Sequence, residues 1–236
     1  MAARNVREEI TRIAKERILV LDGAWGVLLQ GRGLTEEQWR GARFADHSHD
    51  VKGNPDLLNL TCPEIVTEIH EAYFAAGADI TTTNTFTATS IAQADYGLEA
   101  SVYDMNVAGA RLARAAADAA GGTRYVAGSV GPLNVALSLS PKVDDPGFRT
   151  HTFEQVRDTY IEQMTALVDG GADLILLETI FDTLNAKAAV AAAREAVPDT
   201  PLWISATIVD LSGRMLSGQT IEAFWTAIGH ADPLIV

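Results

Sequence analysis

Two carboxylates stand where apolar segments give out. In "RILVLDGA" (17–24) Asp22 follows a run of Ile, Leu and Val. In "DLILLETIFDT" (173–183) four apolar positions run into Glu178, with Asp182 four residues on. Burying an ionised carboxylate without a partner costs several kcal/mol or more. Each such group is therefore either paired inside the protein or stands at an open end, waiting for a ligand. Asn84 in "ADITTTNTF" and Ser129 in "RYVAGSVGP" also lie near the ends of strand-like runs, as do Ser205 and Thr207 in "PLWISATIV". Two carboxylates on one rim suit a cationic group such as a substrate ammonium. They also suit an acid/base pair. The plain structural alternative is that each caps a following helix, where negative charge is favoured.

The elements that must position these residues alternate. Strand-like segments at 17–24, 78–86, 124–132, 172–179, 201–209 and 232–236 are separated by helical patterns at 63–77, 102–122, 152–171, 183–197 and 220–230. Thr61 with Glu64 has the spacing of a capping box, and Thr152 is placed to cap the helix after it. Near-continuous apolar strands joined by helices mean a parallel sheet covered on both faces. The strand count fits a (β/α) TIM-type barrel, incomplete, with about six of eight strands in this chain; a doubly wound sheet also fits. The first strand–helix turn, "LDGAWG", is not a dinucleotide fingerprint, and no P-loop occurs. In a barrel the polar strand ends converge on one rim, where active sites are built. Residues 31–60 show no periodicity and are expected to form a long loop on that rim. The chain, 1–236, reads as one domain.

The totals narrow the partners. There are 31 acidic and 18 basic residues, a formal charge of -13, so phosphate backbones and anionic membranes are disfavoured. One cysteine, Cys62, forbids an internal disulfide and fits a reducing compartment. Residues 1–20 are too charged for a signal peptide and read as an amphipathic helix leading into a strand. No apolar run reaches the roughly 18 residues of a membrane span. A cytoplasmic protein is expected.

Several stretches together resemble a known family: "ILVLDGAWGVLLQ", "GNPDLLNLTCPEIVTEIHEAYFAAGADITTTNTFTATSIAQADYGLE", "GSVGP" and "DLILLETIFDT". They look like the N-terminal homocysteine-binding module of cobalamin-dependent methionine synthase, from about residue 10 to the end. The "GADI…TNTF…IAQADYGLE" run and the "KGNPDLL" loop point to the cobalamin branch rather than to relatives using betaine or S-methylmethionine. The resemblance implies a (β/α)8 barrel and thiol alkylation. A zinc ion held by three cysteine thiolates binds the homocysteine sulfur and lowers its pKa. The methyl group comes from methylcobalamin on a separate module, within a longer protein that also binds folate. The resemblance also implies that Asp22 and Glu178 bind the amino-acid end of homocysteine. It places Thr83, Asn84, Thr85 and Phe86, together with Gly128 and Ser129, around the same pocket.

The chain departs from that pattern. The family's zinc cysteines follow the sixth and a later strand, so they are expected downstream of Val236, and no catalytic residue or metal ligand is assigned within the chain. Cys62, beside a helix cap, reads as filler. The "HSHD" run (His47 to Asp50) reads as a solvated loop, and His70 as packing or surface. The family often carries an acidic residue near Thr82. A barrel stopping after six strands has two open edges, so self-association or low stability is expected. The alternative function is a non-catalytic barrel serving as a ligand-binding or interaction module. A lyase or aldolase is disfavoured, because the interior strands carry no lysine.

Overall fold

The computed structural model describes residues 5–236. Four parallel strands form its sheet: β1 (Ile80–Thr82), β2 (Tyr125–Val130), β3 (Leu174–Ile180) and β4 (Leu202–Ala206), in sequence order. The end strands of the six-strand reading are reduced to single bridges, Leu21 to Ile80 and Trp203 to Ile235, both parallel. Each of these segments pairs on one side only, so its ladder does not extend. The order is still that of a barrel wall, and the sheet does not close.

Six longer helices accompany the strands: α1 (Val6–Glu16), α2 (Pro63–Ala75), α3 (Val102–Ala119), α4 (Phe153–Asp169), α5 (Thr183–Ala196) and α6 (Ile221–Ile228). Residues 1–4 of the expected first helix lie outside the described residues. Thr152 caps α4 in a full capping box with Gln155. The box expected from Thr61 and Glu64 does not form. Helix α2 starts at Pro63 with Cys62 as its cap residue, and the Thr61 hydroxyl donates back to the Leu57 carbonyl at 3.3 Å. The helix starts one residue later than that box requires, so Cys62, which has no capping side-chain hydrogen bond, takes the cap position, and Pro63 removes one of the four orphan amides. The alanines of α3 let it sit close to its neighbours: a Cβ on Gly170, just past α4, would lie 2.6 Å from Ala110 Cβ. No described helix is long and apolar enough to cross a membrane.

Residues 31–60 are more ordered than their sequence suggests. Thr35 and Gln38 form a capping box on a helical turn, Glu36–Arg40. The Glu36 carboxylate accepts the Val51 and Lys52 amides at 2.9 and 2.8 Å. Trp39, Val51, Leu57 and Leu58 pack with Val66 and Ile69 of α2 into a satellite core. The apolar residues come from several turns, so no period marks them in the sequence.

The N-terminal edge of the sheet is locked by ion pairs. Arg17 forks onto Asp79 with two bonds of 2.7 Å, and the Val20 amide donates to the same carboxylate at 2.9 Å. Arg114 donates to Asp173 at 2.9 Å. The Arg17 hydrogen bonds hold the Asp79 carboxyl below its ordinary range.

Candidate functional site

At the opposite, C-terminal ends of the strands lies a cavity of about 930 Å³. Asp22, Thr82, Thr83, Asn84, Ser129 and Glu178 line it, with Trp25, Phe86, Tyr96 and Phe181 as its aromatic surfaces. Asp56 and Asp95 complete a set of four carboxylates, and no lysine, arginine or histidine is among the lining residues.

Asp22 follows the bridge at Leu21, and its amide donates to the Ile80 carbonyl at 2.9 Å. Its carboxylate accepts the Thr81 hydroxyl at 2.7 Å and the Thr82 amide at 2.8 Å, both on Oδ2, and the Thr82 hydroxyl at 3.1 Å on Oδ1. Thr82 Oγ1 in turn accepts the Trp25 indole N–H at 3.2 Å. Burial outweighs these donors and pushes the Asp22 carboxyl up to about 6. Asp22 does not cap the helical turn that follows, whose cap residue is Trp25.

Glu178 sits at an irregularity. Leu177 pairs with Ile204 and Ile180 with Ala206, so Glu178 and Thr179 stand opposite Ser205 alone. This is a β-bulge, a device that re-aims side chains at functional sites. Thr179 takes φ 59°, the left-handed region that β-branched residues avoid. The Ser129 hydroxyl donates to Glu178 Oε1 at 2.5 Å. Burial raises the Glu178 carboxyl above its usual range, opposed only by that hydrogen bond. Asp182 is the helix cap: it accepts the Leu184 and Asn185 amides at 2.8 and 3.3 Å and also holds Ser138. The two carboxylates of "ETIFD" thus have different work.

The remaining expected site residues divide. Thr83 and Asn84 line the cavity, and Asn84 Nδ2 donates to the Pro55 carbonyl at 2.7 Å, tying the rim segment to the strand end. Phe86 is exposed toward the opening, and its carbonyl accepts the Gly131 amide at 3.0 Å. Thr85 is fully buried and lies outside the cavity lining; its hydroxyl donates to the Ser129 carbonyl at 2.8 Å. Gly128 also lies outside: a Cβ there would meet Leu167 and Ile175 at 3.1–3.2 Å. Strand alternation turns Ser129 to the cavity and Gly128 to the helix layer. Ser205 and Thr207 do not line the cavity either.

Asp56 was not singled out by the sequence. It is 1% exposed, accepts the Thr87 hydroxyl and the Thr87 amide, and is pushed up to about 6 by burial. Its only local signal is an acid between Pro55 and the Leu57–Leu58 pair. His70 is fully buried rather than at the surface, and burial lowers it to about 3.

Among the described residues, no group of three or more His, Cys, Asp and Glu has the geometry to hold a metal ion. Burial raises the Cys62 thiol, whose Sγ lies 3.4 Å from the Gln38 carbonyl, outside the cavity. His47 Nε2 is engaged with the Tyr96 carbonyl at 2.7 Å. These residues do not fit the zinc that the resemblance implies.

A cavity at the C-terminal ends of an ordered parallel βα array defines a (β/α)-barrel protein whose barrel is incomplete. The family model described as homocysteine S-methyltransferase matches residues 19–236, and the chain belongs to that family. Among solved structures it is similar to the homocysteine methyltransferase MmuM from Escherichia coli. The oxidized form gives a TM-score of 0.74 at 26% identity, covering 96% of this chain and 74% of that one. The metallated form gives 0.74 at 26%, covering 96% and 75%. The apo form gives 0.67 at 25%, covering 95% and 72%.

Proposed function

We propose that this chain binds homocysteine in the strand-end cavity, with Asp22 and Glu178 receiving its ammonium group. One observation carries this reading: four carboxylates line the cavity with no basic side chain among them. Acids at the other end of the sheet have arginine partners. The cavity acids have only hydroxyl, amide and carboxamide donors, which leave their charge in place for a cation. Ser129 and the Thr81–Thr82 pair orient the two carboxylates, and the indole of Trp25 covers one side. The aromatic side chains exclude water from the aliphatic stem of the substrate.

The finer reading is the homocysteine module of a methionine synthase, taking its methyl group from methylcobalamin on a separate folate-linked module. The "TNTF…IAQADYGLE" and "KGNPDLL" stretches support it. An amino acid fits inside this cavity, whereas a corrin would stand at the mouth beside Phe86 and Phe181. Zinc would supply the thiolate; because the described residues do not fit it, none of them is given a role in that step. Self-association is also part of the proposal. Ile18, 86% exposed, and Val20 lie beside one end of the sheet, and Ile208 and Val209 follow β4 near the other.

Titration calorimetry of the purified chain with L-homocysteine tests the binding reading, and alanine serves as a control. Binding of homocysteine and not alanine is expected; no heat with either overturns it. Methyl transfer from methylcobalamin, tried against a sulfonium donor, decides the finer reading. Sedimentation at low micromolar concentration is expected to show association.

A further inference from the structure

His70 on α2 is fully buried, and its Nδ1 lies 2.8 Å from Thr81 Oγ1. That same hydroxyl is 2.7 Å from Asp22 Oδ2. A hydroxyl has one proton, so only two arrangements satisfy the row. Either His70 Nδ1–H donates to Thr81 and Thr81 donates to Asp22, or a protonated Asp22 donates to Thr81 and Thr81 donates to His70. Two independent features choose the first. Asp22 Oδ2 also accepts the Thr82 amide at 2.8 Å, so this oxygen is already an acceptor. His70 Nε2 is buried and has no hydrogen-bond partner. A bare lone pair there costs less than an orphaned N–H. The Trp25 and His70 rings pack edge to face, with centroids 4.5 Å apart and planes tilted by 67°.

We infer that His70 is a positioning residue for Asp22: its Nδ1–H fixes the Thr81 hydroxyl proton on the carboxylate, which holds Asp22 as an acceptor facing the cavity. This rests on the proposed role of Asp22 toward the homocysteine ammonium. His70 never meets the ligand; it acts through Thr81. Bonds in such a row polarise one another, so the effect on Asp22 exceeds that of an isolated hydroxyl. The neutral ring suits the task, because it does not change charge across the working pH range. The other titratable groups around Asp22 are Tyr73, whose phenol donates to the Ala24 carbonyl at 2.8 Å, and, lining the same cavity, Glu178, Asp56 and Asp95.

Nitrogen-15 NMR of the unaltered chain reads the tautomer directly. A protonated Nδ1 and a bare Nε2 are expected, and the opposite tautomer overturns the inference. Carbon-13 titration of the Asp22 carboxyl in His70→Leu and His70→Asn then separates positioning from packing. In His70→Leu the Asp22 midpoint is expected to rise by about half a unit, with homocysteine binding about three- to tenfold weaker. His70→Asn keeps an N–H near the Nδ1 position and is expected to restore both. An unchanged Asp22 midpoint in a folded His70→Leu protein overturns the inference. If the unaltered chain does not bind homocysteine, the functional reading fails, while the tautomer and the Asp22 midpoint still decide this one.

Discussion

Ser129 on β2 donates its hydroxyl to Glu178 on the adjoining strand β3 at 2.5 Å, and both side chains line one cavity. Asp22 reaches the same cavity from the far side of β1. Ser129 and Glu178 are 49 residues apart in sequence and Asp22 more than a hundred from either, and parallel registration brings them together.

Glu178→Gln keeps the shape and the bond to Ser129 but removes the charge. Homocysteine affinity is expected to fall about tenfold or more, since a hydrogen bond to a charged group contributes about 1.5–3 kcal/mol. The melting temperature should hold or rise, because a half-buried charge is gone. Calorimetry and thermal unfolding check both. Undiminished affinity would remove Glu178 from the site.

Acidity should act in two opposed ways. Asp22 and Asp56 are both raised to about 6 from 3.8, so the native state holds their protons more tightly than the unfolded chain. Their contribution to stability is present below about 4 and is lost as pH rises through about 6. Ligand binding should run the other way, because in the proposed site only ionised Asp22 would attract the ammonium; affinity should climb as pH rises through about 6. Asp56→Asn should flatten the stability profile, and Asp22→Asn the binding profile. Denaturant unfolding and calorimetry between pH values of about 4 and 8 provide the measurement.

Thr179 pays a conformational cost at φ 59° that glycine would not. The left-handed conformation costs an L-residue roughly 1–2 kcal/mol. Glycine's extra freedom in the unfolded chain takes back roughly 0.5–1 kcal/mol. Thr179→Gly is therefore expected to be more stable by up to about 1 kcal/mol, read from the denaturant midpoint. A clear loss of stability would mean that the threonine side chain holds the bulge.

Gly131→Ala tests the turn at the mouth of the cavity. A Cβ there would lie 2.4 Å from the Phe86 carbonyl oxygen and 2.9 Å from its ring. The Phe86 segment has to move, at an expected cost of about 1–3 kcal/mol, with weaker homocysteine binding as the mouth deforms. Wild-type stability and affinity together would show that the segment yields freely.

Much of the architecture was legible because its signals are local. The βα alternation, the helix limits near Gly77 and Thr152, and the polar residues at strand ends all follow from apolar spacing and caps. The resemblance in "TNTF", "GSVGP" and "ETIFDT" agrees with the family to which residues 19–236 belong. The segments at 17–24 and 232–236 read as strands, since β-branched composition does not report whether a second neighbour is present. The order within 31–60 was hidden, because its core is assembled from scattered residues.

What the sequence determined by itself was which residues carry charge at which strand ends, and hence a rim able to meet a cation. Tertiary structure decided which of them face it. Pleat alternation sends Ser129 inward and Gly128 into the helix layer, and a one-residue bulge resets Glu178 against its neighbours. Asp56 enters the cavity from a segment without periodicity, and His70 reaches Asp22 only through a hydroxyl on another strand. Facing depends on register and on packing between distant segments, and no local run of residues encodes either.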